Sequence, residues 1–204
     1  AGEASKSEQL ELMENGFATA KDQETNSIPN FLEDLWKDYR PAKEEELTTS
    51  PDTGYPQKKL LDLGKKVSTL PEDKKFFRKV AKLIKDRAKM LESDKLDWGM
   101  GETLAYATLL ADGHPVRISG QDVERGTFSH RHAVLKTEDS EDEVILLNNL
   151  SKDQAQLSIY NSLLSEYAVS GFDFGYAYAR PQGLTIWEAQ FGDFNNGAQI
   201  IWDQ

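Results

Sequence analysis

The sequence predicts an α/β fold: a doubly wound, mainly parallel sheet preceded by a helical linker region. Three observations in the second half of the chain support this. A short apolar strand, Gln156–Tyr160, is followed by a helix, Leu163–Tyr178, and then by a buried-looking strand, Leu184–Glu188. This order is typical of a parallel α/β unit, because parallel strands need a crossover segment between them.

The first part of the chain, residues 1–95, is predicted to be the helical linker. Four stretches there have apolar residues at helical spacing: Leu10–Phe17, Phe31–Trp36, Lys58–Ser68 and Glu72–Leu91. Pro41 ends the second of these helices, since proline cannot continue a helix interior. Pro71 precedes the fourth helix, in the position that proline favours at a helix start.

Residues 96–204 are predicted to form the α/β domain. Asp97–Asp112 reads as a helix closed by Gly113, and further strands are predicted at Pro115–Ser119, Ala133–Leu135 and Val144–Leu147. Together with the central unit, this makes about five strands and three helices, an ordinary number for one doubly wound sheet. The chain stops inside an apolar helical pattern, so we expect it to be a piece of a longer protein.

Charge and composition exclude several classes of function. The net charge is −11, and residues 96–204 carry 6 basic and 16 acidic side chains. This acidity argues against nucleic-acid binding, which needs clustered basic residues. The sequence contains no apolar run of membrane-spanning length, so we expect no membrane partner. The absence of cysteine excludes disulfides and cysteine metal sites and fits a reducing compartment.

Three residues of the central unit are candidates for a ligand site. Glu166 lies in the first turn of a helix of small and apolar residues, and Phe191 and Phe194 follow the second strand. Open α/β sheets bind ligands beyond the carboxyl ends of their strands. Ordinary scaffolding explains both features as well, because a carboxylate complements the positive end of a helix and paired aromatics often belong to a core.

His130 and His132 form an H-x-H pair, a spacing that on a strand would place both rings on one face. Such a pair suits acid–base chemistry or metal binding. No carboxylate or cysteine stands at a metal-like spacing, so we expect no metal site in this chain. One histidine of the pair is expected to be an ordinary core residue, and we favour His132. Arg125 and Arg131 are either anion partners or members of structural ion pairs.

Three stretches together resemble one family. They read DWGMGETLAYATLLADGHPVRISGQD, ERGTFSHRHAV and SEYAVSGFDFGYA with the following IWEAQFGDFNNGAQ. In this order they resemble the pyrimidine-binding, transketolase-like domain of thiamine-diphosphate enzymes. The resemblance is greatest to the first, decarboxylating component of the 2-oxoglutarate dehydrogenase complex. It covers roughly residues 60–204 and is dense from Asp97 onward.

The resemblance implies roles for particular residues. Glu166 matches the glutamate that hydrogen-bonds a ring nitrogen of the cofactor's aminopyrimidine and acts in catalysis. Phe191 and Phe194 match the aromatic platform for that ring, with Phe194 as the stacking residue. Gln121 and His130 match the segments facing the 2-oxo acid, and His130 is also a catalytic candidate. We expect the carboxyl of Glu166 to lie in a cleft from which Leu163, Leu164 and a second subunit exclude water.

The resemblance also implies an activity and partners. The intact oxidoreductase would be a homodimer that decarboxylates 2-oxoglutarate and passes the succinyl group to lipoamide on dihydrolipoamide succinyltransferase, in the tricarboxylic acid cycle. The family binds Mg²⁺ and the diphosphate through a Gly-Asp-Gly motif that this sequence lacks, so only the aminopyrimidine half of the site is expected here. The expected location is the bacterial cytoplasm, or the mitochondrial matrix in a eukaryote.

Alternatives remain at this level of the argument. A related enzyme acting on 2-oxoadipate, or a 2-oxoglutarate decarboxylase without a lipoyl partner, would carry the same motifs. A non-catalytic α/β interaction module that kept the pyrimidine-binding fold is an alternative of a different class.

Overall fold

A computed structural model of the chain describes residues 2–21, 32–140, 142–192 and 194–203. The chain divides into two compact units, Ala1–Arg40 and Pro41–Gln204. The first unit contains the helices α1, Gly2–Lys21, and α2, Glu33–Trp36. The apolar side chains predicted to form an amphipathic face on α1, among them Leu10 and Phe17, are all exposed. The predicted start of the second helix, Phe31, lies outside the described residues.

The second unit contains five helices and five strands among its described residues. They are α3 (Gln57–Val67), α4 (Arg78–Ser93), α5 (Trp98–Ala111), β1 (Val116–Gly120), β2 (Leu135–Lys136), β3 (Glu143–Val144), β4 (Leu157–Asn161), α6 (Glu166–Ala179), β5 (Leu184–Glu188) and α7 (Gln199–Trp202). In the described part of the chain, no helix combines the length and the apolar composition needed to cross a membrane.

The central sheet has the strand order β4-β1-β5, and both pairs are parallel. Its two faces follow from the alternation of side chains along β1. Val116 and Ile118 enter the main core, which includes buried residues of α5. Arg117 and Ser119 point the other way and bond to Asp173 of α6. Helices therefore cover both faces, which confirms the predicted α/β fold with a parallel sheet.

The main hydrophobic core joins α3 and α5 to the sheet. Leu63 and Val67 of α3 are buried with Leu104 and Leu110 of α5 and with Ile118 of β1. The predicted domain boundary between residues 95 and 96 stays a prediction, but this core crosses it. A helix packed on α5 in this way belongs to the same hydrophobic core as the sheet.

The predicted strands Ala133–Leu135 and Val144–Leu147 do not join the parallel sheet. They appear as the two short antiparallel strands β2 and β3, which form a separate ladder. A second hydrophobic cluster lies beneath this ladder, formed by Phe76, Ile84, Leu135 and Val144. The prediction that all five strands form one sheet is therefore wrong. Apolar runs locate strands, but tertiary contacts determine which strands pair.

Two helices begin later than predicted. The helix predicted from Glu72 begins at Arg78, because the backbone at Phe76 is extended and bridges to Thr137. The helix predicted from Leu163 begins at Glu166. Ser162 accounts for the second delay, since its amide donates to the Gly120 carbonyl at 2.8 Å and its hydroxyl accepts from the Leu164 amide.

Candidate functional site

The candidate site lies at the carboxyl ends of the three parallel strands. Gly120, the last residue of β1, pairs with Asn161 of β4 and with Glu188 of β5. Its φ of +151° and the closeness of the β5 backbone leave no room for a side chain, since a Cβ there would lie 2.1 Å from the Glu188 carbonyl oxygen. Glycine lets the chain leave β1 tightly against β5 and enter the loop that begins with Gln121.

Glu166 is the first residue of α6. The hydroxyl of Ser165 caps this helix by accepting from the Ala168 amide at 3.4 Å. The Glu166 side chain is half-buried, and a Cβ placed on Gly197 would lie 3.2 Å from its Oε2. Gly197 belongs to a 3₁₀ turn, Asn195–Ala198, that directly follows Phe194. The structure therefore places the Glu166 carboxylate beside the segment that carries Phe194.

Gln121 is held next to the start of α6. Its Nε2 donates to the Leu164 carbonyl at 3.2 Å, and its Oε1 is buried with no hydrogen-bond partner among the described residues. Because a carbonyl only accepts, this contact sets which way the amide faces. Gln121 therefore presents a buried acceptor, and the ligand group that satisfies it must donate an N–H or O–H.

The aromatic residues form a small cluster with His130. Phe191 lies in a 3₁₀ turn, Gln190–Gly192, with a φ of +58°. Its ring meets the edge of the Phe128 ring at 5.6 Å between centroids, and Phe128 lies 6.4 Å from the His130 ring. Phe191 and Phe194 are each about half exposed, so their rings are accessible to a flat ligand that stacks on aromatic faces. Sequence reasoning missed Phe128.

His130 and His132 lie in a loop, so strand geometry does not place their rings on one face. The Nε2 of His130 is 3.7 Å from Oε2 of Glu102 on α5. The ring also packs on Gly126, where a Cβ would approach the imidazole to 2.5 Å. Glycine at that position, with a φ of +78°, gives the ring its space. The loop turns back at Arg125, whose carbonyl accepts from the amides of Arg131 and His132, and this prevents strand geometry.

Arg131 is a structural ion-pair residue. Its side chain is 5% exposed and bonds to Glu102 of α5 at 2.6 Å and to both carboxylate oxygens of Glu188 of β5. Burial alone would lower the pKa of Arg131, but the hydrogen bonds to Glu188 and Glu102 outweigh it and raise the pKa. Burial, followed by the charge of Glu102, raises the pKa of Tyr106. This network joins the His130 loop to the strand that precedes Phe191.

The remaining candidates are placed as follows. Arg125 pairs with Asp122 and donates to the Ser129 hydroxyl at 2.5 Å, so it holds its own loop together. His132 is partly buried, and this burial is the main cause of its lowered pKa. The nearby positive charges of Arg87 and Arg125 lower the pKa further. No group of three or more His, Asp or Glu side chains is arranged to hold a metal ion in the described part of the chain.

Leu163 and Leu164 do not shield Glu166 in this chain. Leu163 is fully exposed and Leu164 is about half exposed. The expected exclusion of water by these two side chains is therefore absent from the single chain. Any covering of the cleft must come from another surface.

Comparison with known sequences shows the protein family to which the chain belongs. Residues 94–204 match the sequence family described as the transketolase pyrimidine-binding domain. The chain therefore belongs to the transketolase pyrimidine-binding domain family, whose α/β fold the parallel sheet and its flanking helices share.

Curated relatives are similar to the chain over nearly its whole length. The chain is 41% identical over 200 residues to the 2-oxoglutarate dehydrogenase E1 components of Brucella ovis, Brucella suis and Brucella anthropi. Each match covers 98% of this chain and 20% of the relative. The chain thus spans about a fifth of the length of the curated relatives it matches. The similarity extends over most of residues 1–93, which lie outside the matched family domain.

Proposed function

We propose that the chain forms the aminopyrimidine-binding half of a thiamine-diphosphate site in a 2-oxoglutarate dehydrogenase E1 component. The observation that carries this proposal is the position of Glu166. A half-buried carboxylate at the start of α6 lies against Gly197, in the turn that follows Phe194. The similarity to the curated E1 components supports the choice of enzyme.

The residues of this site fit an aminopyrimidine. Glu166 would hydrogen-bond a ring nitrogen and hold the shared proton there, while the exposed ring of Phe194 would stack on the flat heterocycle. Phe191, supported edge-on by Phe128, would form the adjoining wall. The chemistry that thiamine diphosphate supplies when bound is a nucleophilic carbon that attacks the carbonyl of a 2-oxo acid. Glu166 is therefore the catalytic residue that sets the protonation of the pyrimidine ring.

Gln121 and His130 would contact the substrate side of the site. The buried Oε1 of Gln121 accepts only, so it would bind a hydroxyl or amine and not a substrate carboxylate. His130, whose Nε2 lies 3.7 Å from a carboxylate oxygen of Glu102, would contact the anionic substrate through its imidazole ring.

The rest of the enzyme would come from outside this chain. The diphosphate and Mg²⁺ would be held by another domain, and the complete site would form between two subunits of a homodimer. The exposed Leu163 and Leu164 beside Glu166 support this, because a second subunit would cover them. The succinyl group would pass to dihydrolipoamide succinyltransferase of the complex. The protein would act in the tricarboxylic acid cycle, in the bacterial cytoplasm or the mitochondrial matrix.

The test is substitution of Glu166 in the full-length protein. Glu166→Ala should reduce decarboxylation of 2-oxoglutarate by at least about 100-fold, the usual size of a general acid–base contribution. Thermal unfolding should be nearly unchanged, since the carboxylate is only partly buried and forms no hydrogen bond or ion pair with the described residues. Exposed Glu143, on β3, provides a matched control as Glu143→Ala. Wild-type turnover by the Glu166 variant would remove this residue from the mechanism.

A further inference from the structure

Asp173 is an unusual residue for its position on α6. It is 3% exposed, on a helix whose other sheet-facing residues, Val169 and Ser170, are uncharged. It also lies seven residues after Glu166, and residues three, four and seven apart share one helix face. Glu166 and Asp173 are therefore the two carboxylates of a single face, about 10 Å apart along the axis.

Both oxygens of Asp173 bond to the central strand. Its Oδ1 accepts from Nε of Arg117 at 2.7 Å, and its Oδ2 accepts from the hydroxyl of Ser119. Arg117 and Ser119 are neighbours on the same face of β1. Two bonds from one carboxylate to two positions of one strand restrict both the rotation of α6 and its position along the strand.

Arg117 is itself held in place by aromatic rings. Its guanidinium carbon lies 5.3 Å from the ring centroid of Tyr160 on β4, and 5.2 and 4.8 Å from those of Phe172 and Tyr176 on α6. A guanidinium stacked against rings in this way keeps its direction, which a flexible ammonium would not. The Asp173–Arg117–Ser119 contact, here called the α6 anchor, is thus rigid and shielded.

Apart from Asp173, the buried residues of α6 are Val169 and Ser170, which cannot form an ion pair with the sheet. Gly171 in the middle of the helix, and Ala168 and Ala177 on either side of it, are small and partly buried. Small side chains offer less surface for interlocking than large ones do. Buried ionic groups can supply the missing specificity even where they add little stability.

We propose that the α6 anchor is a positioning device for Glu166. The strand that carries Arg117 and Ser119 continues through Gly120 into Gln121, which bonds to the Leu164 carbonyl just before α6. The anchor therefore fixes the position of α6, which carries Glu166, relative to the end of β1, which leads into Gln121. This inference rests on the proposed role of Glu166 and assigns Asp173 and Arg117 no contact with the cofactor.

The test separates stability from positioning in the full-length protein. Replacing the three residues together, as Arg117→Met, Ser119→Ala and Asp173→Leu, leaves no buried polar group of the anchor without a partner, and such replacements often keep or raise stability. We expect the melting temperature to stay within about 4 °C of wild type. Turnover should fall about 10- to 100-fold, the effect of a displacement of about 1 Å. Amide hydrogen exchange near Glu166, measured without cofactor, should become faster.

The control replaces the exposed pair of β2 and β3, as Lys136→Met with Glu143→Leu, whose side chains lie 3.6 Å apart. It should change neither turnover nor exchange in α6. If the triple anchor variant does not fold, the same measurements are made on Asp173→Asn. This substitution keeps the shape of the side chain and removes its charge.

A stable anchor variant with wild-type turnover and wild-type exchange would overturn the proposal. The function of the site is judged separately, by Glu166→Ala. Loss of activity in Glu166→Ala beside full activity in the anchor variant would reject the anchor alone. Full activity in both would reject the proposed function as well.

Discussion

At the scale of single residues, His132 combines an unusual backbone conformation with surroundings that favour its neutral form. Its φ of +43° is in the left-handed region, which β-carbon-bearing residues other than Asn, Asp and His seldom adopt. Burial lowers its pKa, and the positive charges of Arg87 and Arg125 lower it further. Folding therefore favours the neutral imidazole.

This predicts a pH dependence of stability with a defined sign. The unfolded chain protonates His132 near its usual value of about 6.5, whereas the folded chain protonates it at a lower pH. The contribution of His132 is complete above the unfolded value and is lost as the pH falls from there through the folded pKa. His132→Asn, which tolerates a positive φ and does not titrate, should show a shallower loss of stability on acidification.

Urea unfolding at several pH values between 7.5 and 5 would measure this slope. The exposed His114, whose Nδ1 lies 3.2 Å from the Gln182 carbonyl oxygen, offers the control His114→Asn. An equal slope in wild type and in His132→Asn would contradict the assignment.

At the scale of secondary-structure elements, Arg131 connects three parts of the fold. It bonds to Glu102 of α5, to Glu188 at the end of β5 and to the Val123 carbonyl at 2.9 Å. These contacts hold the loop with His130 against the strand that leads to Phe191. The loop therefore depends on side-chain contacts and not on a strand ladder.

Arg131→Met should destabilise the chain by about 3 kcal/mol, because removing one partner of a buried ion pair leaves the two partly buried carboxylates uncompensated. Arg125→Met is the matched control. Its pair with Asp122 is more exposed than that of Arg131, at 47% for the arginine and 25% for the aspartate, so we expect a loss of about 1 kcal/mol or less. Chemical denaturation of both variants would compare these values. Equal losses would show that Arg131 does not connect these elements.

At the scale of the whole molecule, the exposed apolar surface of α6 is the feature that an isolated chain leaves unexplained. Tyr167 and Phe174 lie seven residues apart on one helix face and are 48% and 64% exposed. Leu163 extends this surface past the start of the helix. Apolar surface of this kind beside a candidate site marks an interface, and the proposed homodimer would cover it.

Phe174→Glu should therefore weaken dimer formation of the full-length protein. A central aromatic residue of an interface contributes about 2 kcal/mol or more, which corresponds to a loss of about 30-fold in affinity. Analytical ultracentrifugation over a range of concentrations would measure it. Phe17→Glu, on exposed α1, makes the same chemical change as a control. An unchanged dimer would move the interface away from this face of α6.

Much of the fold was predictable because local patterns determine it. The helix α3 was predicted to within one residue at each end, and β1, β4 and β5 were located by short apolar runs. The loop with His130 was not predictable, because its turn depends on the Arg125 carbonyl and on space left by Gly126. The sequence did contain a feature that distinguishes Asp173, since it is the only acidic residue of α6 after Glu166.

The sequence by itself determined the α/β class, the order of the parallel unit, and the candidates Glu166, Phe191 and Phe194. These follow from periodicity and motif, which are local properties of a chain. Only the tertiary structure decided that β2 and β3 leave the main sheet, that Arg131 is an ion-pair residue, and that Gln121 presents a buried acceptor. Each of these depends on which distant groups become neighbours, and burial then determines whether a charge or an amide needs a partner.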